Sequence, residues 1–161
     1  MINTCPGCDD TFNKILEASQ VDEDTEVTEA SFAPQKPKTV TFWDIVVQNG
    51  DFPYPQYSKM EITVHDSCPM REKPDTREAI RTILRKMDFK VIEAKHHGDD
   101  SMCCGYSIAD QLTKEELHLR MKERADALPV ETVCVYCTGC MNAMAIGEKN
   151  PVHLIELMFK Y

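Results

Sequence analysis

Two adjacent cysteines followed by glycine, Cys103-Cys104-Gly105, are bracketed in this chain by two further cysteine elements. Cys68 lies upstream in His65-Asp66-Ser67-Cys68-Pro69, and Cys137-Thr138-Gly139-Cys140 lies downstream, giving the spacing C-x34-CC-x32-C-x2-C. Thiolates are the soft ligands that iron–sulfur clusters and zinc select. Five thiols are one too many for a single tetrahedral zinc, and adjacent cysteines chelate one small ion only under strain. A multi-iron cluster can take one sulfur on each of two irons. Gly105 and Gly139 let the backbone approach closely and leave amide N–H groups to donate to sulfur.

The remaining cysteines read differently. Cys134 sits inside Val133-Cys134-Val135 and reads as a small buried hydrophobe. Cys5 and Cys8, in Thr4-Cys5-Pro6-Gly7-Cys8, could form a second metal half-site or a redox dithiol, or could simply open a helix. His65 and Asp66 stand beside Cys68, as hydrogen-bond donors or a proton relay (His65), or as mere turn caps. His96 and His97 read as solvated loop residues, and His118 and His153 as helix residues. Arg71 and Lys73 follow Cys68, where they balance cluster charge or are plain loop cations.

The elements that must position these groups follow from hydropathy. Strands are expected at 60–64, 89–94 and 131–136, each followed by one of the cysteine elements, the second by way of His96-His97-Gly98. Helices are expected at 75–87, with Asp75 and Glu78 spaced as a capping box, and at 114–128, with Thr113 and Glu116 as another. Short helices are expected around Phe42, Ile45 and Val46, at 140–146, and from Pro151 onward. Such alternation implies βαβ units, and hence an α/β fold: a small parallel sheet with helices on both faces. Ligands collect at the carboxyl ends of such strands. The metal site is therefore expected there, although its thiols are far apart in sequence. The expected organisation is a single domain over 1–161. An N-terminal CxxC and helix occupy 1–20, an acidic and proline-bearing linker 21–38, and the core 39–161.

A net charge of −9 disfavours nucleic acid and anionic membrane surfaces, which require a basic face. No apolar run approaches the roughly 18 residues that would span a bilayer, and no signal peptide is evident. A cytoplasmic, reducing location is the expectation. Eight cysteines there read as ligands or redox thiols before disulfides.

His65-Asp66-Ser67-Cys68-Pro69, Met102-Cys103-Cys104-Gly105 and Cys137-Thr138-Gly139-Cys140-Met141-Asn142, in this order and spacing, resemble the cysteine-rich CCG domain. That module belongs to the B-type component of heterodisulfide reductase and to iron–sulfur subunits of glycolate and lactate oxidising systems. The segment from Thr4 to Phe12 is similar to the link that joins two such modules. The resemblance implies a non-cubane [4Fe–4S] cluster held by Cys68, Cys103, Cys104, Cys137 and Cys140. It implies electron transfer to or from a disulfide or related acceptor, as a component of an oxidoreductase. Two-module members carry two clusters, and this chain has one complete motif. A redox partner protein, a second CCG subunit or a homodimer is thus the expected partner. Two rivals stand beside this reading: a zinc-binding structural or interaction module without redox activity, and a metal-free dithiol oxidoreductase using Cys5 and Cys8.

Overall fold

The computed structural model describes residues 2–3 and 40–159. The expected N-terminal CxxC with its helix, and the linker at 21–38, lie outside the described residues. Among the described residues the chain runs β1 (Ile2–Asn3), β2 (Val40–Thr41), α1 (Phe42–Gln48), β3 (Glu61–Val64), α2 (Pro74–Lys86) and β4 (Lys90–Val91). It continues through α3 (Lys114–Asp126), β5 (Thr132–Val135), α4 (Thr138–Ile146), β6 (Asn150–His153) and α5 (Leu154–Met158). Single 3₁₀ turns cover Cys68–Met70 and Gly98–Asp100, and a kinked one covers Tyr106–Gln111.

β1 and β2 form a separate parallel pair. The main sheet has the order β4-β3-β5-β6 and is parallel throughout. β3 and β5 lie side by side at its centre, although β4 comes between them in the chain. Connections leave these two strands toward opposite edges, which makes their carboxyl ends a topological switch point. A crevice opens at such a point in doubly wound sheets.

Strand alternation sends successive side chains to opposite faces. Ile62 and Val64 of β3, with Cys134 and Tyr136 at β5, join one apolar core with Trp43, Val46, Ile80, Ile83, Leu84, Leu154 and Leu157. That core packs α1, α2 and α5 on one face. Val133 and Val135 turn to the other face and meet Met121, Leu128, Ala143, Met144, Cys104 and Cys140. Here α3 and α4 cover the sheet. The α/β architecture with helices on both faces is as the sequence implied.

Several local expectations are corrected. Residues around Pro151 form β6 rather than a helix. Asn150 N donates to Glu131 O, so the next nitrogen along, that of Pro151, faces away from the sheet and loses nothing by lacking hydrogen. The helix begins only at Leu154, and His153 is its cap rather than a helix residue: its side chain accepts from Ile155 N while Glu156 reaches back. The Asp75/Glu78 capping box does not form. Pro74 starts α2 one residue earlier, its fixed φ being suited to that place, and Glu78 pairs with Arg85 instead. Thr113 and Glu116 do form their box. Thr41 and Asp44 form another, at α1. In α1 it is Trp43, not Ile45, that is buried with Val46.

Candidate metal centre

Each cysteine element leaves the sheet at a carboxyl end. Cys68 lies in the turn after β3, Cys103 and Cys104 in the loop after β4, and Cys137 directly after β5. Cys140 is on the first turn of α4, for which Cys137 is the N-cap. All six described cysteines are free thiols.

The five sulfurs form one connected set. Cys68 and Cys103 Sγ are 3.8 Å apart, and Cys104 and Cys140 Sγ are 3.6 Å apart. Cys103 also interacts with Cys104, and Cys140 with Cys137. Two thiolates about 2.3 Å from one tetrahedral metal would be roughly 3.8 Å apart. The set thus contains two separate pairs, each at the spacing of a chelate. Cys104 and Cys140 are buried, whereas Cys68, Cys103 and Cys137 are half-buried.

The five thiols are not equally acidic: Cys103 and Cys137 are shifted down, and Cys68, Cys104 and Cys140 up. Hydrogen bonds from Cys104 and Cys68 hold Cys103 well below the ordinary thiol range, helped by Gly105 N at 3.3 Å. Cys140, then the backbone at Cys140 and Gly139, bring Cys137 down to about 5. The positive end of α4 favours that thiolate. The same contacts push Cys68 and Cys140 up, and Cys104 to about 11. Five sulfurs this close cannot all ionise unaided, because each negative charge raises its neighbours. A cationic group of several charges would let them. Cys134 is on the opposite face, fully buried, and its thiol is pushed up by desolvation; it is core, as its strand position suggested.

Asp66 ties these loops together. Its buried carboxylate accepts two bonds from Arg81, at 3.0 and 2.8 Å, one from Gly98 N at 2.8 Å and one from the Tyr136 hydroxyl at 3.2 Å. Burial alone would raise its pKa, but the Arg81 hydrogen bonds and charge outweigh that and lower it. Tyr136 also accepts from Ser67 N, and Ser101 Oγ donates to Asp66 O at 2.6 Å. Arg71 reaches across to Ser101 O, at 3.0 Å from Nε. Thus the Cys68 turn, the loop before Cys103 and the end of β5 are fixed to one another.

Beneath the thiols lies His65, with 1% of its surface exposed. Desolvation and then the Arg124 charge lower its pKa to about 3, so the ring is neutral. Its Nδ1 accepts from Arg124 Nε at 3.1 Å. Arg124, on α3, is itself fully buried. Burial works against its charge, whereas Asp66, Cys104 and Cys140 favour it. His65, Cys104 and Cys140 form a group whose ligand atoms all lie within 4.8 Å of one another, so these residues could hold a metal ion. Among the described residues, His65 Nε2 and Arg124 Nη2 are buried without a hydrogen-bond partner. Burying such groups unpaired is costly. Orphaned donors around a thiol set fit an anionic metal–sulfur group that would accept from them.

His96 and His97 bond Asp100 and Ala94 O, and His118 is exposed on α3; none of these joins the set. Arg81, Tyr136 and Arg124 were not singled out from the sequence. Arg124 carried a signal: it lies three residues after Met121 and seven after Leu117, on the apolar stripe of α3 where a cation is out of place.

The profile of the CCG cysteine-rich domain matches residues 62–145, just over half of the chain. The chain belongs to the CCG cysteine-rich domain family. Comparison with curated proteins and with solved structures gave no match. The matched span of the CCG domain runs from β3 to α4 and contains all five converging cysteines, the Asp66 hub, His65 and Arg124. Among the described residues no helix is long and apolar enough to cross a membrane.

Proposed function

We propose that this CCG domain is an iron–sulfur electron-transfer protein or subunit, part of an oxidoreductase related to heterodisulfide reductase. Cys68, Cys103, Cys104, Cys137 and Cys140 would hold a non-cubane [4Fe–4S] cluster, which when bound supplies one-electron chemistry to a bound acceptor. The observation that carries this is the division of five sulfurs into two chelate-spaced pairs, 3.8 and 3.6 Å, bridged by the adjacent Cys103 and Cys104. One tetrahedral ion cannot engage both pairs and the fifth sulfur.

The chain's own residues do the rest. Asp66, Arg81 and Tyr136 hold the three loops in register. Gly105 N, the amides at the start of α4 and the buried Arg124 offset negative charge on sulfur. The half-buried Cys68, Cys103 and Cys137 mark the side open to an acceptor, while Cys104 and Cys140 face the interior. Reduction of a disulfide to two thiols consumes two electrons and two protons. A partner oxidoreductase would supply the electrons. A homodimer or a second CCG subunit would supply the second cluster that two-module relatives carry in one chain. A reducing cytoplasm suits such thiols.

The test is iron, sulfide and zinc content of protein purified without oxygen, with EPR and absorption spectra. About four irons and four sulfides per chain support the reading. A colourless protein with one tightly held zinc supports the second reading, a zinc-stabilised interaction module. That alternative has its own observation, the compact His65, Cys104 and Cys140 group. Sedimentation of the reconstituted protein with and without a disulfide substrate tests the pairing. A strict monomer that turns over alone would defeat it.

A further inference from the structure

His65 and the thiols it faces allow two opposite roles. Its ring could be a metal ligand together with Cys104 and Cys140, as the mutual distances within 4.8 Å would permit. It could instead donate a hydrogen bond to whatever the thiols hold. The choice depends on which ring nitrogen carries the proton, and a residue on another element makes that choice.

Arg124 Nε sits 3.1 Å from His65 Nδ1. A guanidinium is always charged in proteins and has donors only. Its Nε–H therefore requires a lone pair on Nδ1. A neutral imidazole with a lone pair on Nδ1 must carry its proton on Nε2. Nε2 is buried and has no other partner among the described residues. Metal-binding histidines ordinarily show the reverse arrangement: one nitrogen binds the metal, and the other donates its N–H to a carboxylate, carbonyl or water. Here a cation stands where that acceptor would be.

We propose that Arg124 locks His65 in the Nε2–H tautomer, making His65 a hydrogen-bond donor to the metal–sulfur group held by the cysteines and excluding it as a ligand. Arg124 is then a positioning residue, acting through His65. The arrangement opposes capture of a mononuclear ion by His65, Cys104 and Cys140. It also places an N–H at the buried side of the site, where added electron density is stabilised by a donor. Because His65 follows β3 and Arg124 lies near the end of α3, the lock depends on α3 packing against this face of the sheet.

The part about electron density rests on the iron–sulfur reading; the tautomer does not. The full-length chain, labelled with ¹⁵N-histidine, is examined metal-free and zinc-loaded by long-range ¹H–¹⁵N correlation, with His65 assigned by its loss in His65→Gln. A protonated Nε2 and a bare Nδ1 are expected in both states. A metal-bound Nε2 with a protonated Nδ1 overturns the proposal. Arg124→Met should release the lock and give both tautomers; a single unchanged tautomer there overturns the role of Arg124. In cluster-loaded protein, His65→Leu should keep the full metal and sulfide content. Its reduction equilibrium should shift about tenfold toward the oxidised form, about 59 mV for one electron. His65→Gln, which keeps a side-chain N–H, should recover part of that shift. Loss of metal in His65→Gln would identify a ligand and end the proposal. If wild-type protein takes up only zinc, the iron–sulfur reading fails, and the wild-type spectra still decide the tautomer.

Discussion

The two faces of the sheet are built from the same strands and do different work. On the face covered by α1, α2 and α5, alternate residues of β3 and β5 are Ile62, Val64 and Cys134, and the packing is apolar until the strand ends, where Asp66 meets Arg81 and the Tyr136 hydroxyl. On the face covered by α3 and α4, the apolar packing gives way near the strand ends to His65, Arg124 and the buried sulfurs. Cys134 and Cys137 are three residues apart, yet the first is an inert core thiol and the second is pulled down to about 5 by the Cys140 thiol and the turn that follows. What separates them is which way the strand points each side chain and whether amides converge on it. The sheet thus divides stability from chemistry.

That division can be broken experimentally. The largest effect is expected where the two halves are joined. Arg81→Met leaves Asp66 buried and unpaired, and should cost about 3–5 kcal/mol by denaturant unfolding. It should also loosen metal retention, since Asp66 holds the Cys68 turn to Gly98 and Tyr136. The pH dependence carries a sign. The Asp66 carboxyl is lowered in the folded state, so its contribution is full above the ordinary carboxylate pKa of about 4 and is lost as pH falls through the lowered value. In acid titrations of stability, Arg81→Met should flatten that slope.

Leu84→Ala, on the apolar face, should cost about 2–5 kcal/mol and leave the metal content of folded protein unchanged. A change in stoichiometry there would show that the faces are not separate. Tyr136→Phe removes one hydroxyl from between Asp66 and Ser67 N, with an expected cost of about 1–3 kcal/mol and faster release of metal to a chelator. Smallest is Cys134→Ala, about 1 kcal/mol by the same unfolding measurement, with metal uptake intact. Cys104→Ser, read beside it, should abolish stable metal binding at similar folding stability.

Much of this was legible in the sequence because it rests on local pattern. Strands 61–64 and 132–135, the helices between them and the placing of cysteines after strand ends follow from periodicity and turn chemistry. What escaped was set by contacts distant in sequence. Pro151 reads as a helix opener, and only its place on an outer strand, with nitrogen turned outward, makes it a strand residue. Val46 can share a face of α1 either with Phe42 and Ile45 or with Trp43, and the partner surface chooses between the two. Asp66 becomes a hub through Arg81, Gly98 and Tyr136, which lie 15, 32 and 70 residues away. Arg124 was visible only as a cation on an apolar stripe, with nothing local to say that a histidine 59 residues earlier would receive it.

The outer strands have a consequence for assembly. β6 offers a neighbour a backbone interrupted by Pro151, and β4, at the other margin, is two residues long. Neither margin is a good template for extending the sheet into a second molecule. Continuation of this four-stranded sheet across either margin is thereby disfavoured, and its order ends where the described strands end.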